Sequence, residues 1–164
     1  MPSLGTLKVT TPSDREIATT RVFDAPRRLV FEAYTQPELV KRWLGVHGGW
    51  SLVTCEIDLR VGGAYRYVWR GPDGSEMGMG GVYREVVPPE RIVATEKFDQ
   101  SWYPGTAVGS LVLVEQGGRT TLTLTVEYES REARDAVLAS PMEQGVAAGF
   151  EALAGVLLSM GRSP

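Results

Sequence analysis

The segment Ser140-Pro141-Met142-Glu143-Gln144-Gly145-Val146-Ala147-Ala148-Gly149-Phe150-Glu151-Ala152-Leu153-Ala154-Gly155-Val156-Leu157-Leu158-Ser159-Met160 decides the fold. Val146, Phe150, Leu153, Leu157 and Met160 recur at spacings of four, three, four and three, so a helix gathers them into one apolar stripe. Ser140 as cap, Pro141 at the first helical position and Glu143 three residues after the serine read as a capping box. Gly161 ends the helix. Gly145 and Gly149 lie a turn apart beside the stripe, and each glycine costs a helix about 1 kcal/mol relative to alanine. The pair therefore marks a close approach. Tight packing against a sheet is the simpler reading, and room left for a ligand is the sharper one.

Upstream of this helix the hydrophobic period falls to two. Leu122, Leu124, Val126 and Tyr128 point one way and Thr121, Thr123, Thr125 and Glu127 the other, as in an antiparallel sheet with one buried face. Strands are predicted over 52–59, 64–70, 76–87, 91–98, 106–115 and 119–128, separated by Gly62-Gly63, Pro72-Asp73-Gly74, Pro88-Pro89 and Gly117-Gly118. Residues 15–23 form an earlier strand, and 7–10 either add an edge strand or fray. Pro26 stands at the first position of a short helix with Leu29, Val30, Ala33 and Tyr34 on one side. Pro37 opens a second, with Leu39, Val40, Trp43 and Leu44 at helical spacing, closed by Gly45 and Gly48-Gly49. The expected class is α+β: a curved antiparallel sheet of about six to seven strands wrapped around one long terminal helix. Residues 1–14 are an N-terminal extension or edge strand, and 15–161 a single domain.

Composition narrows the function classes. The 164 residues fit one domain, and 43 % hydrophobic with 23 % charged residues excludes disorder for most of the chain. A net charge of −3 argues against a nucleic-acid partner, which calls for a basic excess. A single cysteine, Cys55, cannot form an internal disulfide and suits a reducing compartment. Met1 to Lys8 lacks the pattern of a secretory signal. No uninterrupted apolar run approaches the roughly 18 residues of a membrane span. A soluble cytoplasmic protein without membrane insertion is the expectation.

Several chemistries find no support. The lone histidine, His47, sits in a glycine-rich loop and reads as a loop residue before a catalytic one. Cys55 shares a strand face with Val53, Ile57 and Leu59, as a buried apolar thiol would. One His and one Cys do not make a zinc site. Gly78-Met79-Gly80-Gly81 lies in a strand pattern with no Lys-Ser/Thr after it, so no nucleotide loop is supported. Glu56 and Asp58 share what reads as a solvated outer face. Catalytic residues, metal and cofactor are accordingly all expected to be none.

Large adaptable side chains crowd the middle strands instead. Tyr65, Tyr67 and Trp69 fall at i, i+2 and i+4, hence on one face. Met77, Met79 and Tyr83 share parity on the next strand, Phe98, Trp102 and Tyr103 cluster at a strand end, and Trp43 and Trp50 flank the glycine-rich loop. Tyrosine and tryptophan need polar partners when buried, and methionine repacks around varied shapes. Such a lining fits a mostly apolar pocket, against the simpler alternatives of a small filled core or a dimer surface.

These segments also carry a resemblance. Arg21-Val22-Phe23-Asp24-Ala25-Pro26, Pro37-Glu38-Leu39 leading to Trp43, Asp58-Leu59-Arg60-Val61-Gly62-Gly63, Asp73-Gly74, Gly81-Val82-Tyr83-Arg84-Glu85-Val86 with Pro88-Pro89-Glu90-Arg91, and Gly117-Gly118-Arg119-Thr120 follow one family order. The chain resembles, from about Arg15 to Met160, bacterial proteins homologous to the carboxyl-terminal domain of the activator of heat-shock protein 90 ATPase. These belong to the START-like (SRPBCC, birch-allergen-like) superfamily. The resemblance implies a helix-grip fold with a cavity between helix and sheet. It implies function loosely, because relatives bind lipids, hormones or polyketides, cyclise polyketides, sequester antibiotics or activate a chaperone. The family's aromatic pair followed by Gly-Pro stands here as Trp43-Leu44-Gly45-Val46, a departure at the expected cavity mouth. The separate amino-terminal domain through which eukaryotic activators engage the chaperone is not in this sequence, which argues against a literal chaperone contact.

The leading expectation is non-covalent binding of a small hydrophobic or aromatic molecule. Tyr67, Trp69, Met79 and Tyr83 on the middle strands, with Phe98 and Trp102 after them, would line the cavity. Met142, Phe150 and Leu153 would close it from the helix, with Trp43 and His47 near the entrance. The alternatives are a cyclase- or hydrolase-like enzyme using one acid or base, and an interaction module that docks on a chaperone or forms a homodimer.

Overall fold

The computed structural model describes residues 5–161, so the first four residues of the expected extension and the tail 162–164 lie outside the described residues. Period-two alternation carries the chain through β1 (Lys8–Thr10), β2 (Glu16–Phe23), β3 (Ser51–Ile57), β4 (Ala64–Arg70), β5 (Glu76–Val87), β6 (Arg91–Phe98), β7 (Ala107–Gln116) and β8 (Arg119–Glu127). All are antiparallel to their neighbours in one sheet ordered β1-β2-β8-β7-β6-β5-β4-β3. Among the described residues the sheet has eight strands, above the six to seven expected, because the three residues of β1 pair with Ala18–Thr20. Helices α1 (Arg27–Thr35) and α2 (Pro37–Val40) follow β2, and α3 (Arg131–Ala139) and α4 (Met142–Gly161) follow β8. This is an α+β helix-grip architecture.

Three local readings are corrected. Pro26 is the cap of α1, one position before the helix begins. Helix α3 was not expected: the last strand is expected over 119–128, and no element is assigned between it and Ser140. Its signal is short but present: the Ser130 hydroxyl accepts the Ala133 N–H at 3.0 Å, and Ala133, Arg134 and Val137 are buried at helical spacing. Ser140 does not form the capping box. It closes α3, and its hydroxyl donates to the Val137 carbonyl.

The terminal helix is attached unevenly. Phe150, Leu153, Val156 and Leu157 are buried in the main apolar cluster with Phe23, Val30, Leu113 and Leu122. Phe23 and Phe150 meet edge to face at 5.7 Å between ring centroids. The guanidinium of Arg21 on β2, buried and stacked over Phe23, reaches Glu151 on α4 at 3.1 Å. By length and composition α4 could cross a membrane, but here this face packs on the core. Two smaller clusters flank the main one: Ile17, Tyr103, Tyr128 and Val137 under α3, and Val40, Leu52, Cys55 and Trp69 under α2. The interior is thus three apolar clusters around a gap.

Irregularities in the ladders shape that gap. A bulge between Leu52 and Thr54 breaks the parity of β3, so Leu52 and Cys55 are both buried while Val53 is only half-buried. Burial pushes the Cys55 thiol up to about 11, as for an inert thiol. The β5–β6 ladder is interrupted where Gly81-Val82 face Thr95-Glu96. A Cβ on Gly81 would fall on the Thr95 carbonyl, which explains the glycine run as close backbone approach and not as a phosphate loop.

Replacing Ser130 by Ala is expected to lower stability by about 1 kcal/mol, seen as a lower urea midpoint at unchanged slope. An unmoved midpoint would show that the α3 cap contributes nothing.

Candidate functional site: a cavity beneath the terminal helix

Between the concave face of β4–β8 and the first half of α4 lies a cavity of about 700 Å³. Strand alternation supplies its floor: Tyr65, Tyr67 and Trp69 from β4, Met77, Met79 and Tyr83 from β5. The ring of Tyr65 lies 5.1 Å from that of Tyr67 and 5.4 Å from that of Tyr83 between centroids, and Phe98 and Trp102 lie 4.8 Å apart. Gly145, Val146, Gly149 and Phe150 of α4 form the roof, and the segment from Trp43 to Trp50 forms one end. His47, Met77, Trp102 and Pro141 are exposed as well as lining it, so they mark the rim.

Of the residues expected to gather here, Trp43, His47, Tyr67, Trp69 and Met79 all line the cavity, as do Tyr83, Phe98, Trp102, Met142 and Phe150. Leu153 does not. One turn beyond Phe150, it is completely buried in the main cluster, where α4 has closed down on its neighbours. The glycine pair on α4 is also clarified. Side chains at Gly145 and Gly149 would first meet His47 Nε2 and the Trp43 carbonyl, each at 3.9 Å, an ordinary contact distance. The pair faces the cavity and the Trp43–His47 segment, and tight packing on the sheet is not what it serves.

The departure at Trp43-Leu44-Gly45-Val46 has a local cause. Gly45 has φ +70°, and a Cβ there would coincide with the Trp69 indole. Trp69 Nε1 donates to the Leu44 carbonyl at 2.9 Å, and Trp43 Nε1 donates to Ala33 at 2.9 Å. Both indoles are therefore fixed by hydrogen bonds as well as by packing.

Glu96 was missed by the sequence reading, and it is the most unusual residue of the lining. On β6 the residues at Ile92, Ala94, Glu96 and Phe98 alternate inward, and all four line the cavity. A carboxylate inside an otherwise apolar period-two series was the available signal. Glu96 is the one Asp, Glu, Lys or Arg among the described lining residues. Its carboxyl has no hydrogen-bond or salt-bridge partner among the described residues, and burial pushes it up to about 7. Beside it, Tyr65 donates its hydroxyl to the Thr95 carbonyl at 2.7 Å, while the buried hydroxyl of Tyr103 has no partner. Burial first, and the nearby Glu96 charge second, raise the phenols of Tyr65, Tyr103 and Tyr128, which stay protonated donors. Among the described residues no three His, Cys, Asp or Glu side chains group to hold a metal ion.

The antiparallel sheet and the terminal helix laid across it define a START-like, helix-grip protein. The profile of the family described as Activator of Hsp90 ATPase homolog 1-like protein matches residues 24–157, and the chain belongs to that family. Among solved structures, a protein of Rhodobacter sphaeroides is similar at 31 % identity and TM-score 0.88, over 93 % of this chain and 98 % of that one. A Chromobacterium violaceum protein is similar at 29 % identity and TM-score 0.75, over 88 % and 98 %. An AHSA1-like protein of Aeromonas hydrophila, at 19 % identity and TM-score 0.70 over 89 % and 94 %, shares the fold. A search of curated proteins gives no match.

Two outcomes follow for the site. Stability should fall by up to about 3 kcal/mol between roughly pH 4.5 and 7, because the unfolded chain ionises Glu96 first while the folded one holds its proton. Above the folded value the penalty is constant. Urea titrations across that range should show this component in the wild type and not in Glu96→Gln. Separately, Gly149→Ala should stabilise the fold by up to about 1 kcal/mol through helix propensity, read as a raised melting temperature. A lower melting temperature would mean that the roof is packed more tightly than a 3.9 Å contact implies.

Proposed function

We propose that residues 15–161 act as one ligand-binding unit, holding a small hydrophobic or aromatic molecule non-covalently between the sheet and α4. The observation that carries this reading is the unfilled space itself: about 700 Å³, bounded mainly by aromatic and aliphatic side chains. Ligand pockets span roughly 300 to 1,000 Å³, with few polar groups among apolar walls. Affinity would come mainly from burial, at roughly 25 cal/mol per Å² of apolar surface. The ten lining residues expected from the sequence would contact the ligand, with Trp43 and His47 nearest its entrance. A buried, unreactive Cys55 supports a reducing, cytoplasmic setting.

The test uses N-phenyl-1-naphthylamine, an apolar fluorophore that brightens out of water, together with native mass spectrometry of freshly purified protein. Binding of the dye is expected, weakened at least tenfold in Gly149→Leu, whose side chain extends into the cavity from a helix that tolerates leucine. Equal dye binding by a folded Gly149→Leu protein would exclude the cavity as the binding place.

A second reading draws on Glu96. A carboxyl raised to about 7 suits a general acid or base of a cyclase- or hydrolase-like enzyme. Turnover of a polyketide-like substrate, abolished by Glu96→Gln, would favour it over binding alone.

A further inference from the structure

The floor of the cavity offers one charge in an aromatic setting. The Glu96 carboxyl lies where the β5–β6 ladder is interrupted, and across β7 it meets the bare backbone of Gly109, whose Cβ would stand 3.3 Å from Oε2. Its remaining surface opens on the cavity, and no described lysine or arginine lines that space. Half-buried and open to the cavity, the carboxyl has no described protein partner, so its acceptor positions are free for a bound group. The walls around it are ring faces, which attract cations through their quadrupoles. An anionic head would be repelled here. A neutral apolar ligand would leave the carboxyl unpaired.

We infer that Glu96 is the charged anchor of a site for a hydrophobic amine, whose apolar body fills the aromatic-lined cavity and whose ammonium group pairs with the Glu96 carboxylate. This rests on the cavity being a ligand site, as proposed above. It specifies the head group that the site selects. The titratable groups around the anchor are Tyr65 and Tyr67 on β4, Tyr83 on β5, Tyr103 before β7, Tyr128 after β8, and His47 at the rim. Burial holds the phenols protonated, so Glu96 is the one acidic group among the described lining residues whose charge changes near neutral pH. Binding an ammonium ion below that range must therefore release the Glu96 proton.

Calorimetric titration with 1-naphthylmethylamine and, as its neutral counterpart, 1-naphthalenemethanol separates the two propositions. At pH 8 the amine is expected to bind at least tenfold tighter than the alcohol. Glu96→Gln should remove that preference while leaving alcohol affinity unchanged. Between pH 8 and 6 amine affinity should fall about tenfold, with close to one proton released on binding at pH 6, measured from the heats in two buffers. Alcohol affinity should not move. Equal binding of the two probes by the wild type, or an amine preference that survives in Glu96→Gln, would overturn the anchor and leave the apolar cavity standing. Absence of binding by both probes would overturn the cavity reading as well.

Discussion

One helix cannot cover eight strands evenly, and the rest of the structure follows from where the terminal helix makes its contact. From Phe150 onward it is drawn down by Phe150, Leu153, Val156 and Leu157 into the main cluster, and Glu151 is tied to the buried Arg21 of β2. Before that point it carries Gly145, Val146 and Gly149, which border the cavity with little or no side chain. The cavity is the space left when a rod is anchored at one end over a curved surface. Close packing elsewhere keeps that space from collapsing, because protein interiors relax only partly around a void.

The walls are held by devices that do not depend on a ligand. Gly45 gives its Cβ space to the Trp69 indole, whose N–H is held by Leu44. Trp43, nearly completely buried, donates to α1 and stacks edge-on against Tyr34 at 4.7 Å. Bulges in β3 and β5 turn the sheet so that residues of both strands converge. Within the cavity, Glu96 is the exception to the apolar rule, a group that the fold alone has no reason to keep.

Much of the architecture was legible along the chain. The boundaries of β4, β5 and β6 follow directly from Gly-Gly, Pro-Asp-Gly and Pro-Pro punctuation, and the apolar stripe of α4 from its spacing. The aromatic face of β4 follows from period two, which is a local property of any strand. Helix α3 escaped because its nine residues carry few large apolar side chains, leaving Ser130 as its main mark. The capping box at Ser140 failed because α4 begins only at Met142, while Ser140 stands as the C-cap of α3. A motif read from one segment cannot register a competing partner in another.

The amino-acid sequence by itself determined the strands, the terminal helix, the antiparallel class and the set of aromatic side chains that share the concave face. Those properties arise from backbone periodicity and from turn residues, which act over a few positions. Only the tertiary structure decided that α4 docks at one end, that Leu153 belongs to the core while Phe150 borders the cavity, and that Glu96 stands unpaired among tyrosines. Burial and pairing depend on what distant segments bring against a residue, and β6, β7 and the β8 end meet around Glu96 only when the sheet has closed its register.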